Sequence, residues 1–117
     1  VDGNIVGAYL RTRAPGAFHH NLQRGAHPNP CSISDADQRI VTALSPHLMR
    51  NGIRLAGLDI IGGELIEVNT LNPGGLHYAE TFRKEADGNE HSLPIATTVI
   101  RQLITAPTWN LTEANHA

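Results

Sequence analysis

Two strand-like runs, Leu55 to Ile61 and Glu64 to Leu71, flank the pair Gly62-Gly63, and nothing else in the chain narrows the fold as much. A glycine pair between apolar runs is a hairpin signal, because short hairpin loops need positive φ at their centre. Side chains alternate across a strand, so Glu67 and Asn69 share one face while Ile66 and Val68 share the other. A strict two-residue turn would pair Leu58 with Glu67 and mix the faces. One extra loop residue pairs Leu58 with Val68, Asp59 with Glu67 and Ile60 with Ile66. Burial of one face specifies register strongly, which selects the second arrangement. Four aliphatic side chains then pack inward, and Asp59, Glu67 and Asn69 converge on the outward face.

The rest of the chain supplies elements to cover that hairpin. Asp2-Gly3-Asn4 is a turn signal, and the loose alternation from Ile5 to Leu10 predicts a strand over residues 4–12. Residues 14–33 hold Pro15, Gly16, Gly25, Pro28 and Pro30 without any period, and are expected to form a long loop of functional character. Ser34 offers a helix N-cap, with Asp35 and Asp37 in the first turn, where the helix dipole favours anions. Ile40, Val41, Leu44 and Leu48 recur at helical spacing until Gly52 stops the helix, and Pro46 is expected to kink or split it. Asn72-Pro73-Gly74-Gly75 reads as a tight loop and residues 77–85 as a short helix broken at Asp87-Gly88-Asn89. Ser92 is expected to cap a second amphipathic helix bearing Ile95, Ala96, Val99, Ile100 and Leu103, with Pro94 tolerated in its first turn. Residues 106–117 read as a polar tail. The apolar stripes at 40–48 and 95–103 read as core faces, not partner grooves, unless a missing lobe leaves them bare. The fold class is therefore α+β, an antiparallel sheet with packed helices.

Composition removes several function classes. The chain has 117 residues, with 9 Lys+Arg against 11 Asp+Glu, a formal net charge of −2. No basic field is available to neutralise a run of phosphates, so nucleic acid is not an expected partner. No apolar run is long enough to span a bilayer, and no signal peptide is evident. The single cysteine, Cys31, cannot form an internal disulfide, which suits a reducing, cytoplasmic location. It lies between Pro30 and Ser32 with no base nearby in sequence, so it reads as a bystander thiol. Seven histidines invite a zinc hypothesis, but no cysteine lies at zinc-ligand spacing and no H-E-x-x-H occurs. Val1-Asp2-Gly3 reads like a turn already under way, so the chain is expected to be part of something larger.

Chemistry concentrates on the hairpin. Two carboxylates directly opposite in a sheet repel unless a positive group sits between them. Hard oxygen donors with an amide carbonyl suit Mg²⁺, which is usually shared with substrate phosphates. The plainer alternative is a solvated sheet face bearing incidental acids. One-sided clustering of Asp59, Glu67 and Asn69 favours the metal reading.

The string Gly57-Leu58-Asp59-Ile60-Ile61-Gly62, followed by Leu65-Ile66-Glu67-Val68-Asn69, resembles the bacterial glutathione synthetase branch of the ATP-grasp ligases. The resemblance runs back through Pro46, Asp37, Gly25, Asn21-Leu22 and Arg11 and forward to Pro73, covering roughly residues 4–75. It implies that residues 1–105 form the C-terminal lobe of an ATP-grasp domain, with residues 14–33 a mobile lid. It implies Asp59, Glu67 and Asn69 as ligands of Mg²⁺ (or Mn²⁺), and Arg11 as the catalytic cation facing the phosphates or the substrate carboxylate. Asn21 and Gly25 in the lid would contact ATP, and Asn72, Gly74 and Gly75 would hold an anionic substrate through backbone N–H groups. The implied reaction activates the carboxylate of a γ-glutamyl peptide as an acyl phosphate, which the amine of glycine then attacks. The adenine pocket and phosphate lysines would come from another lobe of the parent enzyme, Lys84 being the only lysine here. A homo-oligomer is compatible with this reading. Departures from the family pattern fall at His19-His20-Asn21, at Ala26-His27 after Gly25, and at Thr70-Leu71-Asn72-Pro73-Gly74-Gly75. Two alternatives remain: another ATP-grasp peptide or amino-acid ligase, and a non-catalytic domain whose acidic hairpin is a structural metal site. A bare metal site needs no phosphate-facing cation, so Arg11 separates the last from the others.

Overall fold

The structure, a computed structural model, describes residues 1–13, 15–16, 26–88 and 93–105. In chain order the described elements are β1 (Leu10–Thr12), β2 (His27–Asn29), α1 (Asp35–Arg50), β3 (Gly57–Ile61), β4 (Glu64–Asn69), α2 (Leu76–Asp87) and α3 (Ile95–Ile104). The class is α+β. The strands form two separate antiparallel pairs, β1 with β2 and β3 with β4, instead of the one sheet expected.

The β3–β4 hairpin keeps the expected register at its open end and loses it near the turn. Leu58 pairs with Val68 and Asp59 with Glu67, but Ile60 pairs with Leu65 and Ile61 with Glu64. Gly62 and Gly63 both carry positive φ, at 60° and 80°, so the loop itself has only two residues and follows the strand twist. The extra residue is therefore absorbed inside β4, where Ile66 forms a bulge. This corrects the predicted Ile60–Ile66 pair, and with it the inward position of Ile66, which is 59% exposed.

Helix α1 is built from local signals. The Ser34 hydroxyl accepts the Asp37 N–H at 3.2 Å while the Asp37 carboxylate accepts the Ser34 N–H at 2.8 Å, a reciprocal cap. The Ser34 hydroxyl also donates to that carboxylate at 2.7 Å, and this bond, with the one from the Ser34 N–H, holds the Asp37 carboxyl below its ordinary value. At the other end Gly52 has φ 70°, its N–H bonds the Met49 carbonyl, and the Ile53 N–H reaches back to Leu48. That double closure needs a left-handed residue, which glycine adopts without steric cost. Pro46 removes one backbone donor, yet the helix runs unbroken from Asp35 to Arg50 and is not split.

The buried core lies elsewhere. Ala79 of α2 and Ile95 and Val99 of α3 are buried together, with Val1, Val6, Tyr9, Leu55, Leu76 and Leu103 packed against them. Residues 4–9, expected as strand, carry no ladder; the strand begins only at Leu10. Gly7 explains the difference. A Cβ there would stand 2.9 Å from Ile95 Cδ1 and 3.0 Å from Ala79 Cβ, so the backbone lies directly against the two helices instead of against a strand. Helix α3 starts after Pro94, which provides no side-chain cap, and the expected cap Ser92 lies outside the described residues. The carboxylate of Glu80, from α2, accepts the Ile95 N–H instead. That bond, aided by Arg83 and Lys84, holds the Glu80 carboxyl below its ordinary value against the opposing pull of desolvation. At its far end α3 is gripped by Arg54, which donates to the carbonyls of Gln102, Leu103 and Thr105 and pairs with Asp2 at 2.6 Å.

Candidate functional site

Asp59 and Glu67 stand directly opposite one another across β3 and β4, and Asn69 lies two residues further along the same face of β4, opposite Gly57. Gly57 allows the following loop to fold back, since a Cβ there would lie 3.1 Å from the Cβ of Pro73. The Asn69 side chain then ties the loop down. Its amide nitrogen donates to the Asn72 carbonyl at 3.1 Å and its oxygen accepts the Asn72 N–H at 3.0 Å. One backbone N–H expected to meet an anionic substrate is thus committed to Asn69. The Asn69 oxygen keeps a second lone pair that can face outward.

Arg11 enters from β1, and its guanidinium pairs with the Asp59 carboxylate through Nη2 and Oδ2. The two side chains are 31% and 42% exposed, so the pair sits at a solvent-accessible edge. The sequence predicted both residues as site groups but not their contact. In a strand reading of residues 4–12, Tyr9 stands on the same face as Arg11, and the structure puts its ring over Gly75. Gly75 has φ 81°, and a Cβ there would collide with the Tyr9 ring, so glycine is required on both counts. Tyr9 also lies 5.5 Å from the Tyr78 ring, centroid to centroid. Burial pushes the Tyr9 phenol above its ordinary value; Arg11 opposes the rise and Asp59 adds to it. Tyr9 and Tyr78 are site residues that sequence reasoning missed. The available signal was the two-residue spacing between Tyr9 and Arg11.

Gly75 is also the N-cap of α2, with no side-chain cap and no acidic residue in the helix's first turn. The positive end of the helix dipole is therefore not neutralised by its own side chains. An open cleft of about 1240 Å³ runs between residues 1–11, the inner side of α1, the hairpin and the start of α2. Arg11, Asp59, Glu67, Asn69, Asn72, Gly74 and Gly75 all line it. The half-buried apolar stripe of α1, Val41, Leu44 and Leu48, lines the same cleft, and no residue of α1 is fully buried. The 40–48 stripe is thus left bare, the exception attached to its expected core role. Asn21 and Gly25 lie outside the described residues.

The donor set fits a hard divalent cation. Two carboxylates and an amide oxygen share one face of a hairpin, and Mg²⁺ takes few protein ligands because it keeps water and substrate oxygens. Among the described residues no group of three or more His, Cys, Asp or Glu side chains is placed to hold a metal ion. Among the same residues no helix is long and apolar enough to cross a membrane.

A family profile described as prokaryotic glutathione synthetase, ATP-grasp domain, matches residues 1–84. The glutathione synthetase of Parasynechococcus marenigrum (strain WH8102) is 35% identical over 85 residues, covering 73% of this chain and 28% of that protein. That of Prochlorococcus marinus (strain MIT 9313) is 32% identical over 104 residues, covering 89% of this chain and 31% of that protein. That of Neisseria meningitidis serogroup A is 41% identical over 77 residues, 64% of this chain and 24% of that protein. The chain thus spans about three tenths of the length of the first two of these relatives. No solved structure matches it.

Proposed function

The chain belongs to the prokaryotic glutathione synthetase family through its ATP-grasp domain, and on that footing we propose that it forms the metal- and phosphate-facing wall of a carboxylate–amine ligase site. The observation that carries this reading is one cleft lined by all seven described residues that the hairpin and its resemblance single out. The reaction is ATP-dependent: the terminal phosphoryl group passes to the carboxylate of a γ-glutamyl peptide, and the amine of glycine displaces phosphate from the acyl phosphate. The protein's part in such chemistry is positioning and charge neutralisation.

Asp59, Glu67 and Asn69 would hold Mg²⁺ or Mn²⁺, which when bound supplies charge neutralisation for the nucleotide phosphates. Arg11, which reaches from the other strand pair to Asp59 opposite Glu67, offers a guanidinium whose fork suits phosphate or carboxylate. The uncapped start of α2 and the Gly74-Gly75 backbone favour an anionic substrate group beside it. The lid expected over residues 14–33 would exclude water, with Asn21 and Gly25 toward ATP, but its residues His27–Asn29 are strand β2, paired with β1, and not loop. Residues 1–105 would be the lobe and 106–117 a polar tail, with the adenine pocket and phosphate lysines supplied by a further lobe. A cytoplasmic setting suits this assignment, since Cys31 is a free, exposed thiol.

The test is a chimera of the Neisseria meningitidis relative in which residues 1–84 of this chain replace the matching segment. It should release ADP in the presence of ATP, Mg²⁺, γ-glutamylcysteine and glycine, and Asp59→Asn or Glu67→Gln should lower kcat at least about a hundredfold. A folded chimera that binds nucleotide but turns over none of these substrates would overturn the assignment.

A further inference from the structure

We propose that Arg11 is a resident competitor for the cation site, occupying Asp59 until a divalent ion displaces it. The inference rests on the metal assignment above and concerns how the site is loaded.

Arg11 and Asp59 come from strands of different two-stranded sheets, 48 residues apart in the chain, and their ion pair bridges those sheets. The guanidinium therefore satisfies one of the two carboxylates that face each other across the hairpin. A divalent ion held between Asp59 and Glu67 would meet that same carboxylate, and two cations cannot share it without repulsion. The pair is partly exposed on both sides, at 31% and 42%. Exposed ion pairs are weak, and both partners can be rehydrated at little cost. The other cross-chain arginine pair of this molecule is more enclosed: the Arg54 and Asp2 side chains are 19% and 8% exposed. The Arg11–Asp59 pair is the more accessible of the two, as exchange requires.

Displacement has a consequence by linkage. An anion that draws Arg11 off Asp59 frees the carboxylate for the cation, and the cation in turn frees Arg11 for the anion. Cation and phosphate group should therefore bind with positive coupling through this one side chain, beyond their direct attraction for each other.

The experiment titrates the 117-residue chain with Mn²⁺ at low ionic strength, following free Mn²⁺ by electron paramagnetic resonance. Wild type, Arg11→Met, Arg11→Lys and Asp59→Asn are compared, with circular dichroism as the check on folding. Arg11→Met should bind Mn²⁺ roughly fivefold or more tightly than wild type, and Arg11→Lys should fall between them. Methyl phosphate should tighten Mn²⁺ binding to wild type by a larger factor than to Arg11→Met, in which only the direct attraction of cation and phosphate remains. In the wild-type chain the Arg11 side-chain N–H resonance should move on addition of Mg²⁺, a readout that survives if Arg11→Met does not fold. Equal or weaker Mn²⁺ binding by folded Arg11→Met, or an Arg11 resonance indifferent to Mg²⁺ at saturation, overturns the competitor role while leaving the metal site standing. Mn²⁺ binding absent from wild type and Arg11→Met alike, or undiminished in Asp59→Asn, overturns the metal assignment and the competitor role with it.

Discussion

The corner formed by residues 1–9, α2 and α3 differs from the hairpin and α1 in almost every physical respect. In the corner, apolar side chains are buried, Gly7 brings backbone against helix, and two clasps, Glu80 at one end of α3 and Arg54 at the other, satisfy groups that the helix leaves open. Across the cleft, α1 buries no residue completely, and the hairpin leaves Ile61, Leu65 and Ile66 exposed. The lesson is one of division. Cohesion is concentrated in the corner, the carboxylates expected to hold a metal sit on the wall that contributes least to it, and Tyr9 and the start of α2 belong to both core and cleft. Loosely held groups of this kind are the ones free to respond to a ligand.

The sharpest way to break this contrast is to make one substitution on each side of it. Ile95 is 3% exposed, so Ile95→Ala should cost about 3 kcal/mol in denaturant unfolding, a large share of the 5–15 kcal/mol typical of a domain. A loss below about 1 kcal/mol would mean that the corner is not the core.

A subtler effect tests the clasp at the start of α3. Glu80 ordinarily titrates near 4.5, and the Ile95 N–H holds it lower in the native state, which therefore binds fewer protons than the unfolded chain. Its stabilisation is complete above the unfolded value and fades as pH falls through the lower native one. Glu80→Gln should unfold at lower denaturant concentration than wild type near neutral pH, and the gap should close as pH falls below the ordinary carboxylate value and through the lower native one. A gap independent of pH would show that the charge is not what caps the helix.

The smallest expected effect is Ile66→Ala, on the exposed bulge of β4, where stability should change by no more than about 0.5 kcal/mol. A cost comparable with that of Ile95→Ala would show Ile66 to be covered in solution and would erase the distinction between the two walls.

Much of the hairpin and of α1 was legible because their signals are local. Ser34, Asp37 and Gly52 cap a helix through neighbours only three to five residues away, and Gly62-Gly63 announces a two-residue turn whatever surrounds it. The Asp59–Glu67 pairing followed from alternation and the demand that one face be apolar. Local pattern could not say where the odd residue would go, because loop and bulge offer the same count and differ only in backbone twist. Ile66 took the bulge. The segment at residues 4–9 misled for a different reason: its alternation suits a strand, but Gly7 is spent on contact with Ala79 and Ile95, more than seventy residues away in the chain.

The sequence by itself determined the α+β class, the caps of α1, the facing carboxylates and the membership that follows from residues 1–84. Tertiary structure alone decided that Glu80 caps α3, that Tyr9 covers Gly75, that Asn69 holds Asn72 and that Arg11 rests on Asp59. The physical reason is range. Periodicity and capping act over one or two turns of chain, whereas most of these contacts join groups whose proximity depends on how complete elements pack.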